Sequence, residues 1–303
     1  MARPKHPARE RKRSLPDWFK RPLPRNAVPK EVGELVEQFG LHTVCASAKC
    51  PNLNECWSQR TATFMVLGNN CTRRCFFCSV PKATPDPIDP EEPRKVAEAA
   101  RRLGLRHVVV TSVDRDDLAD KGAGHFVELI GELRQSGDVI VEILTPDFKN
   151  RIEESAAEIA AARPDIFNHN VETAPRLYRE VRPGAVYRGS LRLLELVKQH
   201  DATILTKSGL MVGLGEADQE VEEVLRDLRS VGVDIITIGQ YLRPSDRERP
   251  VDRYVTPEQF KALENTGREM GFLGVYAGPF VRSSYNAGRV YDHVRRVQAE
   301  QRT

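Results

Sequence analysis

Three cysteines stand close together on one short stretch of this 303-residue chain. They are Cys71, Cys75 and Cys78 in GNNCTRRCFFCSVPKA, with the spacing C-x3-C-x2-C and no further cysteine after them. Structural zinc and iron–sulfur sites usually take four protein ligands. Three thiolates at this spacing can bind three corners of a four-iron cubane, which leaves one iron with an open position. An open position on a metal indicates chemistry, by the same logic that separates catalytic from structural zinc.

A second group of cysteines precedes the first. Cys45, Cys50 and Cys56 have the spacing C-x4-C-x5-C and also lack a fourth cysteine. Three disulfides would account for all six cysteines in an oxidising compartment, but in a reducing cytosol such clustering favours metal. From spacing alone, a structural zinc with a distant fourth ligand is an alternative for Cys71, Cys75 and Cys78.

The N-terminal region carries the excess positive charge of the chain. The net charge is +3, yet residues 1–30 contain ten Lys or Arg and only two Asp or Glu. This composition is typical of a solvated, flexible arm. The alternative is a docking segment for an acidic partner or nucleic acid.

No targeting or membrane segment is visible in the sequence. Basic residues and prolines interrupt the N-terminal region throughout, so it lacks the apolar centre of a signal peptide. No apolar run approaches the roughly 20 residues that a membrane helix needs. We therefore expect a globular, cytoplasmic protein without a membrane span, with an organelle as the alternative location.

From Phe64 onward, β-rich runs alternate with amphipathic helical runs. The six predicted strands are TFMVLG, HVVVTSV, DVIVEIL, PDIFNHNVE, TILTKSGLMVG and DIITIGQYL. Their Val- and Ile-rich character suits a parallel sheet that is covered on both faces and joined by right-handed crossovers. Six units fall short of the eight in a closed barrel, so we predict an α/β fold, a partial (β/α)6 TIM-type barrel. A doubly wound sheet has the same periodicity and stays an alternative.

The predicted domain organisation follows from this pattern. A basic arm spans 1–30, an N-terminal extension with the first three cysteines spans 31–62, and the partial barrel spans 63–274. A C-terminal segment that closes over the barrel spans 275–303. In such folds the functional residues lie at the carboxyl ends of the strands, and the segment with Cys71 directly follows the first strand.

These motifs together resemble a known family. A C-x3-C-x2-C motif after the first strand of a partial barrel resembles the radical S-adenosylmethionine superfamily, and the companion C-x4-C-x5-C is similar to that of the lipoyl synthases. Further stretches fit that family in order along the chain: TSVDRDDL, DIFNHNVETAPRLY, TKSGLMVGLGE, TIGQYLRPS and GPFVRSSY. Each motif is weakly specific alone, but their ordered set is highly specific.

The resemblance implies a [4Fe-4S] cluster on Cys71, Cys75 and Cys78. In the superfamily, S-adenosylmethionine chelates the open iron, and one electron then cleaves its sulfonium to give a 5′-deoxyadenosyl radical. Hydrogen abstraction from an unactivated alkyl chain is beyond any acid or base side chain, so a cofactor must do it.

The resemblance also implies a second, auxiliary [4Fe-4S] cluster. Cys45, Cys50 and Cys56 would bind it, and Ser284 of the R-S-S-Y motif would be its fourth ligand and a catalytic residue. An oxygen ligand should leave iron more readily than a thiolate, which suits a cluster that gives up sulfur. Taken alone, R-S-S-Y is typical of a turn or a helix cap, so this role depends on the two cysteine groups.

Polar residues at the predicted strand ends are candidates for binding S-adenosylmethionine. Asn170 and Glu172 alternate onto one face of a strand end, while Thr111 and Lys207 belong to two other strands. The alternative role for each is loop stabilisation through caps and ion pairs.

The implied reaction is the insertion of two sulfur atoms at carbons six and eight of a protein-bound octanoyl-lysine, with the auxiliary cluster as sulfur donor. Implied partners are octanoylated lipoyl carrier domains, such as the E2 subunit of 2-oxoacid dehydrogenases and the glycine cleavage H protein. An electron donor such as ferredoxin or flavodoxin is also implied, and no nucleic acid. The alternatives are another radical sulfur-inserting enzyme and a zinc-stabilised module whose basic arm binds nucleic acid.

Overall fold

Strands and helices alternate along most of the chain. The computed structural model describes residues 15–20, 29–58 and 62–300. The strands are β1 (His42–Thr43), β2 (Thr63–Val66), β3 (His107–Ser112), β4 (Ile140–Leu144), β5 (Ile166–Asn168), β6 (Leu205–Val212), β7 (Ile235–Gln240) and β8 (Gly274–Gly278). The helices are α1 (Pro29–Gln38), α2 (Val44–Ser47), α3 (Leu53–Ser58), α4 (Glu92–Leu103), α5 (Ala123–Ser136), α6 (Ile152–Ala162), α7 (Tyr178–Val181), α8 (Tyr187–His200), α9 (Asp218–Ser230), α10 (Pro257–Glu269) and α11 (Ala287–Glu300).

The strands form one sheet in the order of the sequence, from β1 to β8. β2 to β8 pair in parallel, and the two-residue β1 pairs antiparallel with β2. A doubly wound sheet would reverse its strand order at a switch point, and this sheet does not. The predicted α/β partial barrel is therefore confirmed.

The sheet contains one parallel strand more than predicted. The six predicted strands are present as β2 to β7, and β8 followed by α11 adds a seventh unit. A Cβ at Gly274 would lie 2.9 Å from a methyl of Val294, so the glycine lets α11 pack closely on this strand. The sheet thus extends past residue 274, where the predicted barrel segment ended.

Apolar helix faces cover the outer side of the sheet. On α9, the predicted apolar face is fully buried, with Val221, Val224, Leu225 and Leu228 all at most 1% exposed. Helix α4 ends as predicted at a glycine, since Gly104 has a left-handed φ of 62°. No helix in the part of the chain that the structure describes is long and apolar enough to span a bilayer.

A charged network lies on the inner face of the sheet. Lys207 Nζ donates to Glu142 Oε1 at 2.8 Å, and both side chains are completely buried. Asn168 Nδ2 donates to the same oxygen at 3.2 Å, and His107 Nε2 lies 3.1 Å from Glu142 Oε2. Burial alone would raise the pKa of Glu142, but the charge of Lys207 and the hydrogen bond from His107 hold it at about 2. The network therefore joins four strands, β3 to β6, through one ionised carboxylate.

Part of the predicted basic arm packs on the barrel. Asp17–Phe19 form a 3-10 turn, and Phe19 is buried. Its ring packs edge-on against Tyr254 and Phe280, with centroid distances of 5.5 and 5.4 Å. Aromatic pairs in this geometry stabilise a contact beyond the area they bury, so this part of the arm is not free. Residues 29 and 30 of the predicted arm begin α1, and its residues 1–14 and 21–28 lie outside the described ones.

Candidate active site

The segment 69–83, called the cluster loop below, leaves the carboxyl end of β2 and carries Cys71, Cys75 and Cys78. The backbone N–H of Cys71 donates to the carbonyl of Pro81 at 2.8 Å, which closes the loop on itself. Two other backbone N–H groups lie near sulfur, that of Arg73 at 3.4 Å from Cys71 Sγ and that of Val80 at 3.5 Å from Cys78 Sγ. Hydrogen bonds to sulfur are a common means of stabilising cluster-bound thiolates.

The three thiols of the cluster loop are free and partly buried. Burial raises the pKa of Cys71 and of Cys75, and it raises the pKa of Cys78 to about 11. Without metal, all three are therefore protonated at neutral pH. Because thiolates are the ligands of iron, binding of a cluster here would release protons.

The second cysteine group lies on the N-terminal extension, next to the cluster loop. Cys45 belongs to α2 and Cys56 to α3, with Cys50 on the turn between them. The backbone N–H of Cys50 donates to the carbonyl of Cys45 at 3.0 Å. Ser79 Oγ of the cluster loop donates to the carbonyl of Ser47 at 2.8 Å, so the extension and the cluster loop are in direct contact.

One cavity of about 440 Å³ joins the two cysteine groups. The residues predicted for the site that line it are Cys45, Cys50, Cys56, Cys71, Cys75, Cys78, Thr111, Asn170, Glu172 and Ser284. Within the described residues, no three His, Cys, Asp or Glu side chains are gathered around one point as ligands of a single ion. A cubane differs in this respect, because each of its thiolates binds a separate iron.

Several polar side chains of the cavity are buried without a hydrogen-bond partner among the described residues. They are Ser112 Oγ, Thr145 Oγ1 and Asn170 Oδ1. A Cβ at Gly209 would lie 2.6 Å from Asn170 Oδ1, so this glycine leaves room for the amide. An unpaired buried polar group costs about 1–3 kcal/mol, and such groups in a cavity are typical of a ligand site. The unpaired polar groups and the thiols of this cavity together fit a cluster with a polar organic ligand.

Three residues predicted to bind S-adenosylmethionine lie in positions that differ from expectation. Lys207 does not line the cavity, because β6 continues for five residues beyond it and its amine is bound to Glu142 on the inner face. Asn170 and Glu172 were expected on a strand end, but β5 stops at Asn168. Both lie on the following loop, where Asn170 Nδ2 donates to Glu172 Oε1 at 3.1 Å, and both still line the cavity.

Arg73 is a residue of the site that sequence reasoning missed. Its Nε and Nη2 donate to the two carboxylate oxygens of Asp116 at 2.7 and 2.6 Å, and Nη1 lies 2.7 Å from both oxygens of Asp147. Asp114 is 3.5 Å from the same nitrogen and 3.8 Å from Cys71 Sγ. Burial opposes the charge of Arg73, but these carboxylates raise its pKa further. Arg73 thus ties the cluster loop to the loops after β3 and β4.

We expect Arg73→Lys to lower the free energy of unfolding by about 1–2 kcal/mol, because an ammonium cannot reproduce the bidentate bond to Asp116. Chemical denaturation of the metal-free protein measures this change. Arg74→Lys is the matched control. Arg74 is the exposed neighbour of Arg73, and its guanidinium lies over the ring of Phe76. Equal stability of the two variants would contradict the structural role of Arg73.

Arg182 and His169 support the loop after β5 and were also missed. Arg182 Nη1 donates to the carbonyl of Asn170 at 2.9 Å and lies 3.4 Å from Ser190 Oγ. The ring nitrogens of His169 bond to Ser190 Oγ and to the carbonyl of Thr145, each at 2.9 Å. Burial lowers the pKa of His169 to about 4, so its ring is neutral at pH 7. These bonds hold Asn170 against the cavity.

Known proteins match this chain over most of its length. The Radical SAM superfamily matches residues 65–228. A curated lipoyl synthase of Caldanaerobacter subterraneus subsp. tengcongensis is 57% identical over 273 residues, which cover 90% of this chain and 95% of that protein. The chain belongs to the lipoyl synthase family. A second lipoyl synthase, from Nitrosococcus oceani, is 53% identical over 93% of this chain and 87% of its own length.

Solved structures outside the lipoyl synthase family share the fold. Methylornithine synthase superimposes with a TM-score of 0.53 at 14% identity, over 91% of this chain and 96% of that one. HydG, a maturase of the [FeFe]-hydrogenase, gives 0.54 at 16% identity, over 84% and 63%. At these identities the likeness shows the fold alone. The predicted family and its class, a radical SAM sulfurtransferase, are confirmed by the curated lipoyl synthases and the superfamily match.

Proposed function

We propose that this member of the lipoyl synthase family inserts two sulfur atoms at carbons six and eight of an octanoyl chain that is amide-linked to a carrier lysine. The observation that carries the proposal is the shared cavity, on which both three-cysteine groups and Ser284 converge. When bound there, a cluster with S-adenosylmethionine supplies hydrogen abstraction, and a second cluster supplies sulfur.

The residues of the cluster loop have distinct tasks in this proposal. Cys71, Cys75 and Cys78 bind the first [4Fe-4S] cluster and leave its fourth iron to S-adenosylmethionine. Arg73 fixes the loop between Cys71 and Cys75 through its carboxylate partners. A fixed loop keeps the open iron at a constant distance from the substrate, which matters because small misplacements are costly in rate.

The polar residues of the cavity bind S-adenosylmethionine in this proposal. Asn170 presents an unpaired oxygen, and its amide nitrogen donates to the half-buried Glu172. Thr111 donates to the carbonyl of Leu144 at 2.9 Å and keeps its side chain at the cavity wall. Together they form a polar side of the cavity for the amino-acid and ribose parts of the cofactor.

Part of the cavity lining is apolar, which suits an alkyl chain. The apolar side chains of the lining include Met65, Val80, Val113, Leu144 and Met211. An octanoyl chain on a lysine is long and flexible, so its reacting carbons can enter while the carrier domain stays outside. Mostly apolar walls with a few polar groups are the usual composition of ligand cavities, and closing them to water protects a reactive intermediate.

The proposed ligands of the auxiliary cluster are Cys45, Cys50, Cys56 and Ser284. Ser284 occupies a central position of a β-turn that the backbone N–H of Tyr285 closes on the carbonyl of Arg282 at 3.0 Å. Such a turn exposes the side chains at its centre. An oxygen ligand would bind iron more weakly than the three thiolates, which would suit a cluster that gives up sulfur.

We expect Ser284→Ala to spare cleavage of S-adenosylmethionine and to lower the yield of lipoyl product at least about tenfold, since one ligand bond to iron is lost. Anaerobic assays of 5′-deoxyadenosine and of product measure the two effects. Ser283→Ala, its neighbour in the turn, is the control. Normal product from Ser284→Ala would end its assignment as a ligand.

The proposed partners are those of the reaction. They are octanoylated lipoyl domains of the E2 subunit of 2-oxoacid dehydrogenases and of the glycine cleavage H protein, and a ferredoxin or flavodoxin as electron donor. The proposed location is the cytoplasm, where these carriers occur. The reaction needs no nucleic acid.

An anaerobic incubation of the reconstituted protein with an octanoyl-lysine peptide, reductant and S-adenosylmethionine tests the proposed reaction. We expect a peptide that has gained two sulfur atoms, detected by mass spectrometry, together with 5′-deoxyadenosine. A control without S-adenosylmethionine should leave the peptide unchanged. Formation of 5′-deoxyadenosine with no sulfur in the peptide would reject this substrate.

A further inference from the structure

The segment 279–286, called the closing segment below, connects β8 to α11 and carries Ser284. It lies on the end of β7, because a Cβ at Gly239 would overlap the carbonyl oxygen of Val281. Within it, the backbone N–H of Val281 donates to the carbonyl of Gly278 at 3.1 Å. The turn that carries Ser284 is closed by the backbone N–H of Tyr285, which donates to the carbonyl of Arg282 at 3.0 Å.

Two long-range hydrogen bonds join the closing segment to the N-terminal extension. Tyr285 Oη donates to Glu55 Oε1 at 2.6 Å, and Asn52 Nδ2 donates to the carbonyl of Phe280 at 2.7 Å. The first joins residues 230 positions apart and the second residues 228 apart. They hold the segment on both sides of Ser284.

The partners on the extension lie among the cysteines of the auxiliary group. Asn52 and Glu55 stand between Cys50 and Cys56, and Glu55 directly precedes Cys56. Asn52 is 1% exposed, so its bond is shielded from water. A contact here connects the turn that presents Ser284 directly to the backbone that presents two of the cysteines.

We propose that Tyr285 and Glu55 are positioning residues, whose hydrogen bond keeps Ser284 within reach of the cluster that Cys45, Cys50 and Cys56 would hold. This inference rests on the proposed role of Ser284 as a ligand. A weak oxygen ligand dissociates readily, and rebinding depends on how closely its side chain is held. A hydrogen bond of 2.6 Å between a hydroxyl and a carboxyl oxygen is short and directional, so it suits this task.

The test is the rate at which a ferrous chelator such as ferrozine removes iron from the anaerobically reconstituted protein. For Tyr285→Phe we expect the auxiliary iron to leave about tenfold faster than in wild type, since the turn that carries Ser284 loses a hydrogen bond to the extension. The remaining iron, and cleavage of S-adenosylmethionine, should keep their wild-type rates. Glu55→Ala should behave like Tyr285→Phe, and Glu55→Gln, which keeps an acceptor oxygen, should restore slow release.

Control variants separate this inference from the proposed function. Tyr276→Phe removes a hydroxyl from β8 on a ring that packs against His293 of α11, and it should leave iron release unchanged. If Ser284→Ala accelerates release while Tyr285→Phe does not, the positioning role is wrong and Ser284 remains a ligand. If neither variant accelerates release, the ligand role and the positioning role both fail. Equal acceleration by Tyr276→Phe would show a general loosening of the fold and would also overturn the inference.

Discussion

The Cys56→Ala variant should cleave S-adenosylmethionine at close to the wild-type rate and form no lipoyl product. Cys56 belongs to α3 on the N-terminal extension, whereas the thiols proposed to face S-adenosylmethionine belong to the cluster loop. The variant loses one of three thiolates of the auxiliary cluster, so the sulfur source goes while the site of radical formation stays. Anaerobic assays of 5′-deoxyadenosine and of the sulfur content of an octanoyl-lysine peptide measure the two activities.

Cys75→Ala is the matched control for this experiment, with the same substitution in the other group. It should lose both activities, because no product can form without cleavage of S-adenosylmethionine. If Cys56→Ala abolished cleavage of S-adenosylmethionine, or if Cys75→Ala retained it, the roles assigned to the two cysteine groups would be wrong.

Lys207→Met should lower the free energy of unfolding by about 3–5 kcal/mol, the usual cost of removing one partner of a buried ion pair. The substitution keeps the length and much of the volume of the side chain, but it leaves the carboxylate of Glu142 without its cationic partner at 2.8 Å. Urea denaturation of the metal-free protein at pH 7 measures the change. Lys261→Met removes a more exposed lysine paired with Glu264 on α10 and should cost no more than about 1 kcal/mol.

The pH dependence provides a second test of the same pair. The folded-state pKa of Glu142 is about 2 and lies below its unfolded value. The ionised carboxylate therefore stabilises the folded state above about pH 4.5, and this stabilisation is lost as pH falls toward 2. In Lys207→Met, burial instead favours the protonated acid. The stability difference between wild type and variant should therefore narrow as pH falls. A difference that is constant between pH 7 and pH 3 would contradict the ion pair.

Sequence periodicity was sufficient for most of the sheet but not for β8. The strands β2 to β7 are largely apolar, with β-branched runs in β3, β4 and β7 that indicate burial on both faces, and all six were predicted. β8 has the sequence GVYAG, in which only Val275 and Tyr276 favour a strand and the other three residues are Gly or Ala, so its strand propensity is weak. It forms because the preceding strand offers an edge and α11 packs closely on Gly274, which is tertiary information.

The residues of the site divide in the same way: local spacing predicts some of them, and only tertiary contacts reveal the others. Cysteine spacing identified both thiol groups because each lies within one short segment. Lys207 lies within β6, as it does in the predicted strand TILTKSGLMVG, but the sequence does not show that its amine binds Glu142 on the inner face of the sheet. The partners of Arg73 and the bond from Tyr285 to Glu55 join residues that are distant in the chain, and only the fold brings them together.

The central claim is that the two cysteine groups each hold a [4Fe-4S] cluster on one cavity. The most direct measurement is the iron, sulfide and zinc content of the protein after anaerobic reconstitution. We predict a brown protein with about eight irons and about eight sulfides per chain and no stoichiometric zinc. A colourless protein with stoichiometric zinc that takes up no iron would contradict the account.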